Sequence, residues 1–469
     1  MTTNHQQQRR RGIRNSSGVA CHLSCALQLL LRTILPLQEA LLHLKSCNAH
    51  GDISTLGVGK DNRDPEDSSS FFTDLATFCR ELVVAPNTEN ENDTADAIDP
   101  TKFYRKCSKI LNINENDVGD ASTAVIRILQ RLLSHQEWKS LLESTVYGSQ
   151  TRQVLVGKQQ KLSEETSTIL KRTKQGKIKL MGVPFVLCGQ YASFEEGLRR
   201  SFEPQSIDGY NWDRPGQTYE EEESMNEGSE EEKNKLKDSP RSWVTSKTVE
   251  WHAVSPFWLV QLERFEYQEG ERVLLNANVE VPERIDLAQY LVKHDGDSHK
   301  FLLLGGICHV VEGSVDEEGH YVSIVRSLGS TPSEVEQWTM FSDETCTDFS
   351  TEQALSYLSG IRDENGLYFC GMLLLYGSLH SSTCTTIQAS LAVLKEKITE
   401  HSKEADRRRG WVDPTEIIGR RLRVRWAKGK CYAGLIVSYD KSSGKHRIKY
   451  DDGDEKEYIL AKKTIEWLE

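Results

Sequence analysis

A cysteine placed where coil becomes helix is primed for chemistry. Residues 12–28 read GIRNSSGVACHLSCALQ and run into the apolar LLLRTIL, so Cys21 falls at a helix start. There the unpaired backbone N–H groups and the positive end of the helix dipole favour a thiolate over a thiol. Ser16, Ser17, Gly18 and Ala20 are small enough for the backbone to crowd the sulfur, and Asn15 carries an amide able to steady an oxyanion. Taken alone, the stretch also reads as a buried free cysteine, so a base must come from elsewhere. Residues 305–325, GGICHVVEGSVDEEGHYVSIV, supply two histidines flanking a loop between strands. His320, between Gly319 and Tyr321 at a strand start, has the small neighbour and rigid mount of a catalytic imidazole. The next strand, WTMFSD at 338–343, ends on Ser342 and Asp343, either of which can hold the imidazole's other nitrogen.

The elements that must position these residues follow from periodicity. A helical pattern spans 21–45, with Pro36 ending or kinking the first helix. Further helices are predicted over 68–84, 100–111 and 117–130, the last with an apolar face of Ala121, Val125, Ile128, Leu129 and Leu132. After Trp138 the pattern turns to strands, interrupted by a short capped helix over 193–202. Residues 215–241 form a charged, low-complexity insert that reads as disordered. Strands dominate again from Trp243, with one helix over 351–358. An amphipathic helix over 382–410 reads as a linker and spacer. Residues 411–469 have several short strands with turns at KGK, KSSGK and DDGD, enough for a small barrel.

Composition narrows the partners. The net charge is −12 and the pI near 5.7, which argues against broad nucleic-acid or anionic-membrane binding. The expected partner is protein. The eleven cysteines show no C-x-x-C pair, so neither a disulfide framework nor a zinc ribbon is expected, and reduced thiols point to the cytoplasm or nucleus. No apolar run approaches a membrane span, and residues 1–11 lack the apolar core of a signal peptide and read as a disordered tail.

In this order the residues resemble the ubiquitin-specific proteases, papain-like cysteine peptidases, over residues 12–378. Their cysteine box is matched by Gly12, Ile13, Asn15, Gly18, Cys21, Leu23, Leu27 and Gln28. Leu303, His309, Gly313, Gly319, His320 and Tyr321 match the histidine box, and Trp338, Phe341 and Asp343 the strand after it. DVGDASTAVIRIL resembles the family's Q-Q-D-A-x-E-F helix at Asp120 and Ala121, FEEGLRRSFEPQSIDGYNW and LVQLERFEY resemble ubiquitin-gripping segments, and LYFCGMLLLYG the closing strand. The resemblance implies an α+β fold with a helical thumb and a β-rich palm and fingers. It implies that His320 deprotonates Cys21, which attacks the carbonyl of the ubiquitin C-terminal glycine. It also implies that Asp120 pairs with the basic ubiquitin tail, that Phe265, Tyr267 and His309 line its channel, and that Tyr210 lies in the gripping segment. Against the family pattern, Asn15 stands one residue further from the cysteine, which requires a bulged loop for an oxyanion role. Ser24 replaces an asparagine, His22 an aromatic, and Ser342 the triad's Asn or Asp, leaving Asp343 as the charged alternative. The fingers lack paired zinc cysteines, so no metal and no cofactor are expected.

The last segment is the basic part of the chain, with 13 Lys/Arg against 10 Asp/Glu. It resembles a Tudor-like all-β barrel, which implies an aromatic cage for a methylated side chain, with Trp426, Tyr432, Tyr439, Tyr450 and Asp452 as candidates. Two functions fit the whole. One is a thiol-dependent deubiquitinase acting on ubiquitinated proteins, and the other a catalytically weak or inactive ubiquitin-binding scaffold with a Tudor-like interaction module.

Overall fold

The computed structural model of the chain describes residues 11–15, 20–47, 65–83, 97–113, 119–162, 167–180, 184–188, 191–213, 218–225, 243–269, 271–275, 278–293, 299–312, 319–327, 337–379, 381–408, 415, 417–426, 430–441, 443–460, 463 and 465–468. The expected tail at 1–11 lies outside them except for Arg11.

The apolar run after Cys21 makes two helices, α1 (Cys21–Thr33) and α2 (Leu35–Cys47), bent by 95° at the break between them. The break comes at Ile34, ahead of Pro36. Pro36 falls in the first turn of α2, where a missing N–H costs no hydrogen bond. Helices α3 (Pro65–Val83), α4 (Thr101–Leu111) and α5 (Ala121–Leu133) complete the expected thumb. The five apolar positions foreseen on α5 are all buried. A further helix, α6 (Gln136–Thr145), was not foreseen; it buries Trp138, Leu141 and Leu142 in the same core.

The palm is a sheet whose strands run in the order Thr345–Phe349, Gln337–Ser342, His320–Ser327, Lys300–Glu312, Leu367–Ser378, Phe257–Glu263 and Phe185–Cys188. Neighbours along this order are antiparallel, except that the last two are parallel. The central strand Lys300–Glu312 is buried on both faces: Ile307 and Val311 join the thumb core, while Cys308 and Val310 join a second core. α1 lies against the His320–Ser327 strand, which brings the nucleophile's helix to the strand that carries the base. Helices α7 (Phe194–Ser201) and α8 (Thr351–Ser359) start on the serine caps Ser193 and Ser350, the latter in a full capping box with Gln353. No single described helix is long and apolar enough to cross a membrane.

The fingers are a second sheet, ordered Gln205–Ile207, Val244–Ala253, Gln150–Leu162, Ser167–Gln175 and Glu220–Met225. The last of these corrects the reading of 215–241 as a disordered insert. EEEESM is a poor strand sequence by propensity. It pairs because its neighbour is basic: Lys171 Nζ reaches Glu222 at 2.9 Å and Arg172 Nε reaches Glu221 at 2.6 Å. Residues 215–217 and 226–241 of that stretch lie outside the described residues.

A second correction concerns the linker. α9 (Ser381–Arg408) has the expected bounds but is no free spacer. Ile387, Leu391, Leu394 and Ile398 are buried in the thumb core. His43 Nε2 on α2 lies 3.0 Å from Thr399 Oγ1, and Lys395 pairs with Glu39. The apolar positions at spacings of four, three and four form a stripe that the flanking charges disguise.

The C-terminal segment is a five-stranded antiparallel sheet, ordered Glu455–Tyr458, Lys445–Tyr450, Cys431–Asp440, Arg421–Arg425 and Ile465–Leu468. It has a core of its own, built from Ile417, Leu422, Val424, Ile436, Ile448 and Leu460.

Candidate active site

Cys21 is the first residue of α1, and the N–H groups of Leu23 and Ser24 fold back on the carbonyl of the Ala20 cap, each at 3.1 Å. The thiol is buried, and loss of hydration raises it above its ordinary pKa. Backbone N–H groups act the other way, foremost that of Tyr321, then those of His22 and Cys21 itself; the Asp343 carboxylate adds to the upward push. The helix start does supply donors to the sulfur, but burial outweighs them.

His320 opens the strand His320–Ser327. Its Nε2 lies 3.2 Å from Ser342 Oγ and 3.9 Å from Asp343 Oδ2. Ser342 ends the strand Gln337–Ser342 and pairs across a two-residue turn with Thr345. Asp343 is the first residue of that turn, with φ at +48°, a left-handed conformation that aspartate tolerates better than most side chains. Asp343 also holds the chain's beginning: its carbonyl accepts from Ile13 N at 2.8 Å, and Oδ2 accepts from Asn15 Nδ2 at 3.2 Å. Burial raises the Asp343 carboxyl, against the opposing pull of His320 and the Asn15 hydrogen bond.

Asn15 therefore bridges two parts of the site, since its Oδ1 also accepts from Ala20 N at 3.2 Å. The bulged loop expected between Asn15 and Cys21 falls on residues 16–19, outside the described residues. Gly12 is a glycine by necessity, because a Cβ there would lie 2.3 Å from the Glu344 carbonyl oxygen. Gly319 is another: its Cβ would lie 2.0 Å from His309 Nε2. The His309 ring in turn packs on Tyr321 at 4.9 Å. Gly319→Ala must displace His309 or the start of the His320 strand. We expect a loss of roughly 10- to 100-fold in kcat/KM on a ubiquitin substrate, with little change in melting temperature. Wild-type kinetics in that variant would show that the contact yields freely.

The remaining expected residues lie on several elements. Asp120 caps α5, its Oδ1 accepting from Thr123 N at 2.7 Å, and the adjacent Gly119 lies against the His22 ring next to Cys21. Tyr210 belongs to the fingers, where its ring meets Trp212 at 5.0 Å and its hydroxyl accepts from Lys174 Nζ at 3.2 Å. The backbone of Phe265 and Tyr267 forms the strand Phe265–Gln268, and their side chains lie outside the described residues.

Three supporting residues were missed. Arg32 donates Nε to Gln28 Oε1 at 2.6 Å and Nη2 to the carbonyls of Arg11 and Leu82, and its guanidinium lies 4.6 Å from the Phe341 ring centre. It ties α1 to the strand that bears Ser342. A charge inside LLLRTIL was the available signal, since a buried cation needs partners. Arg264, fully buried, donates to the carbonyls of Gly371 and Ser359 at 3.0 and 3.1 Å. Tyr104 Oη lies 2.6 Å from Ser24 Oγ, which itself donates to the Ala20 carbonyl at 3.2 Å. No local signal in sequence joins α4 to α1 in this way. Among the described residues no group of three His, Cys, Asp or Glu is arranged to hold a metal ion.

Residues 11–375 match the family model for ubiquitin carboxyl-terminal hydrolase. The chain belongs to that family. This hydrolase domain has a likeness to the Ubp8/Sgf11/Sus1/Sgf73 DUB module of SAGA bound to ubiquitin aldehyde, at 17% identity and a TM-score of 0.53, covering 81% of this chain and 72% of that one. The same module bound to monoubiquitin gives the same values. At such identity the likeness establishes the fold: α+β, with thumb, palm and fingers. Residues 419–460 match a PTM/DIR17-like Tudor domain. A 54-residue stretch is 41% identical to the DNA mismatch repair protein MSH6 of Arabidopsis thaliana, covering 11% of this chain and 4% of that protein.

In the Tudor-like barrel, the ring centroids of Trp426, Tyr432 and Tyr450 lie 5.8 to 6.4 Å apart. Tyr458 joins them, with its hydroxyl 3.2 Å from that of Tyr450. Tyr439 does not: it stands opposite the buried His446, against which its ring packs at 4.6 Å. Asp452 closes a turn, accepting from Asp454 N at 3.2 Å.

Proposed function

We propose that the chain is a thiol-dependent deubiquitinase that cleaves the bond after the ubiquitin C-terminal glycine. One observation supports this above the others: the adjacent residues His320 and Tyr321 serve the two halves of the site together. His320 Nε2 faces Ser342 and Asp343, while the N–H of Tyr321 reaches the Cys21 sulfur. With Nε2 so engaged, Nδ1 is the nitrogen that takes the Cys21 proton. The thiolate then attacks the glycine carbonyl carbon, the leaving amine takes the proton from His320, and water hydrolyses the resulting thioester. Ubiquitin conjugates are the substrates in this reading. The free thiols among the described cysteines suit the cytoplasm or nucleus.

Ser342 is the closer orienter, but a hydroxyl carries no charge to stabilise imidazolium. Asp343 supplies that charge at 3.9 Å, worth of order 1–4 kcal/mol between water-like and protein-like screening. Hydrolysis of a fluorogenic ubiquitin C-terminal substrate tests the assignment. Ser342→Ala should cost about tenfold or less in kcat, and Asp343→Ala about 100-fold or more. Unchanged rates in both variants would remove the third member as assigned. The uncharged Ser342 also favours a second reading, a ubiquitin-binding scaffold: ubiquitin binding without turnover or covalent capture by a ubiquitin carrying a C-terminal electrophile would establish it.

A further inference from the structure

The aromatic residues of the C-terminal barrel are arranged as walls. Around Trp426, the rings of Tyr432, Tyr450 and Tyr458 lie at centroid distances of 5.8, 6.4 and 6.3 Å and at interplanar angles of 70°, 68° and 89°. Tyr432 and Tyr450 also stand at 77° to each other. Steep angles bring several ring faces towards a common space, as a cage for a cation requires. Trp426 and Tyr432 are each 38% exposed, so this space has a mouth.

The register of the neighbouring strand brings a lysine to that space. Lys456 stands opposite Ile448, and Tyr458 stands opposite His446. Cross-strand partners project to one side, so Lys456 and Tyr458 share the side of buried Ile448 and His446 at the sheet's edge, where Lys456 is exposed and Tyr458 half-buried. A lysine on an inward face must find a partner for its charge or bend to water. The Lys456 ammonium lies 5.0 Å from the centre of the Trp426 ring, within cation–π range. Lys463 lies 4.9 Å from the Tyr458 ring.

We propose that Lys456 is the resident cation of this cage, so that the barrel is self-capped and admits an external methylated ammonium group only when Lys456 leaves. An incoming cation competes with an ammonium tethered beside it, so its apparent affinity falls by the fraction of chains in which the cage is open. Removing the Lys456 charge opens the cage without touching its walls. Lys463 meets Tyr458 alone among the cage rings and serves as the control.

The test is an NMR titration of the full-length chain, labelled with 15N at tryptophan, with N-acetyl-trimethyl-lysine amide as the probe. The Trp426 indole resonance is assigned by its loss in Trp426→Phe. In Lys456→Gln that resonance should respond at a probe concentration about 5- to 10-fold lower than in wild type. Lys456→Arg, which keeps a cation over the ring, should titrate like wild type, and so should Lys463→Gln. Equal midpoints for wild type and Lys456→Gln would overturn the proposal. So would a Trp426 resonance in Lys456→Gln that does not respond while the other tryptophan resonances keep their folded positions.

Discussion

Cys21→Ala should abolish both hydrolysis of a ubiquitin C-terminal substrate and covalent capture by a ubiquitin electrophile, and His320→Ala should lower turnover by at least about 10³-fold. Cys25→Ala is the matched control. Cys25 is buried one helical turn along α1, and burial raises its thiol well above the ordinary range, so its loss should leave the rate within a few-fold. The resting state of Cys21 gives this prediction a pH signature. Because burial raises its pKa, the neutral thiol dominates at neutral pH and the thiolate is gained as pH rises. Without ubiquitin, alkylation of Cys21 by iodoacetamide should therefore climb steeply with pH into the alkaline range. A flat profile through neutrality would mean a preformed thiolate and would contradict the burial described for the sulfur. Capture that persists in Cys21→Ala would move the nucleophile to another residue.

A chain ending at residue 379 should fail to fold stably even though it contains every residue of the active site. The family match ends at residue 375, just where such a cut would be made. Yet α9 places Ile387, Leu391, Leu394 and Ile398 in the thumb core beside α2 and α6. Leu391→Ala and Leu394→Ala should each destabilise the full chain by about 2–5 kcal/mol, read from urea unfolding of the thumb transition. A chain ending at residue 408 should keep the stability of the hydrolase domain and its turnover within a few-fold. Equal stability for the chains ending at 379 and 408 would show that α9 adds nothing to the thumb.

Much of the site was legible because it depends on local chemistry. The coil-to-helix change at Cys21 and the Gly-His-Tyr strand start at His320 are written in consecutive residues, and both lie where they were expected. The third member was ambiguous for a physical reason. Ser342 and Asp343 are neighbours, and the positive φ of Asp343, which fixes where each side chain can reach, has no signature in the sequence. Similar limits explain the fold's departures. Glu220–Met225 becomes a strand through the cations of its neighbour, a contact set by pairing rather than propensity. The stripe on α9 is diluted by charge, and α6 starts without the side-chain cap that marks α7 and α8. In the barrel, Tyr439 falls opposite the buried His446 rather than among the rings around Trp426, and Tyr458 takes a place beside Tyr450, pairings that strand alternation alone does not disclose.

The bond between Asn15 and Asp343 spans 328 residues of sequence. At ribosomal rates of about 5–20 residues per second, Cys21 leaves the peptidyl-transferase centre roughly 15 to 65 s before the turn that carries Asp343. Until then Gly12 has no turn to lie against and Asn15 no carboxylate to hold. A nascent or truncated product shorter than this has Cys21 but not the turn against which its loop is held.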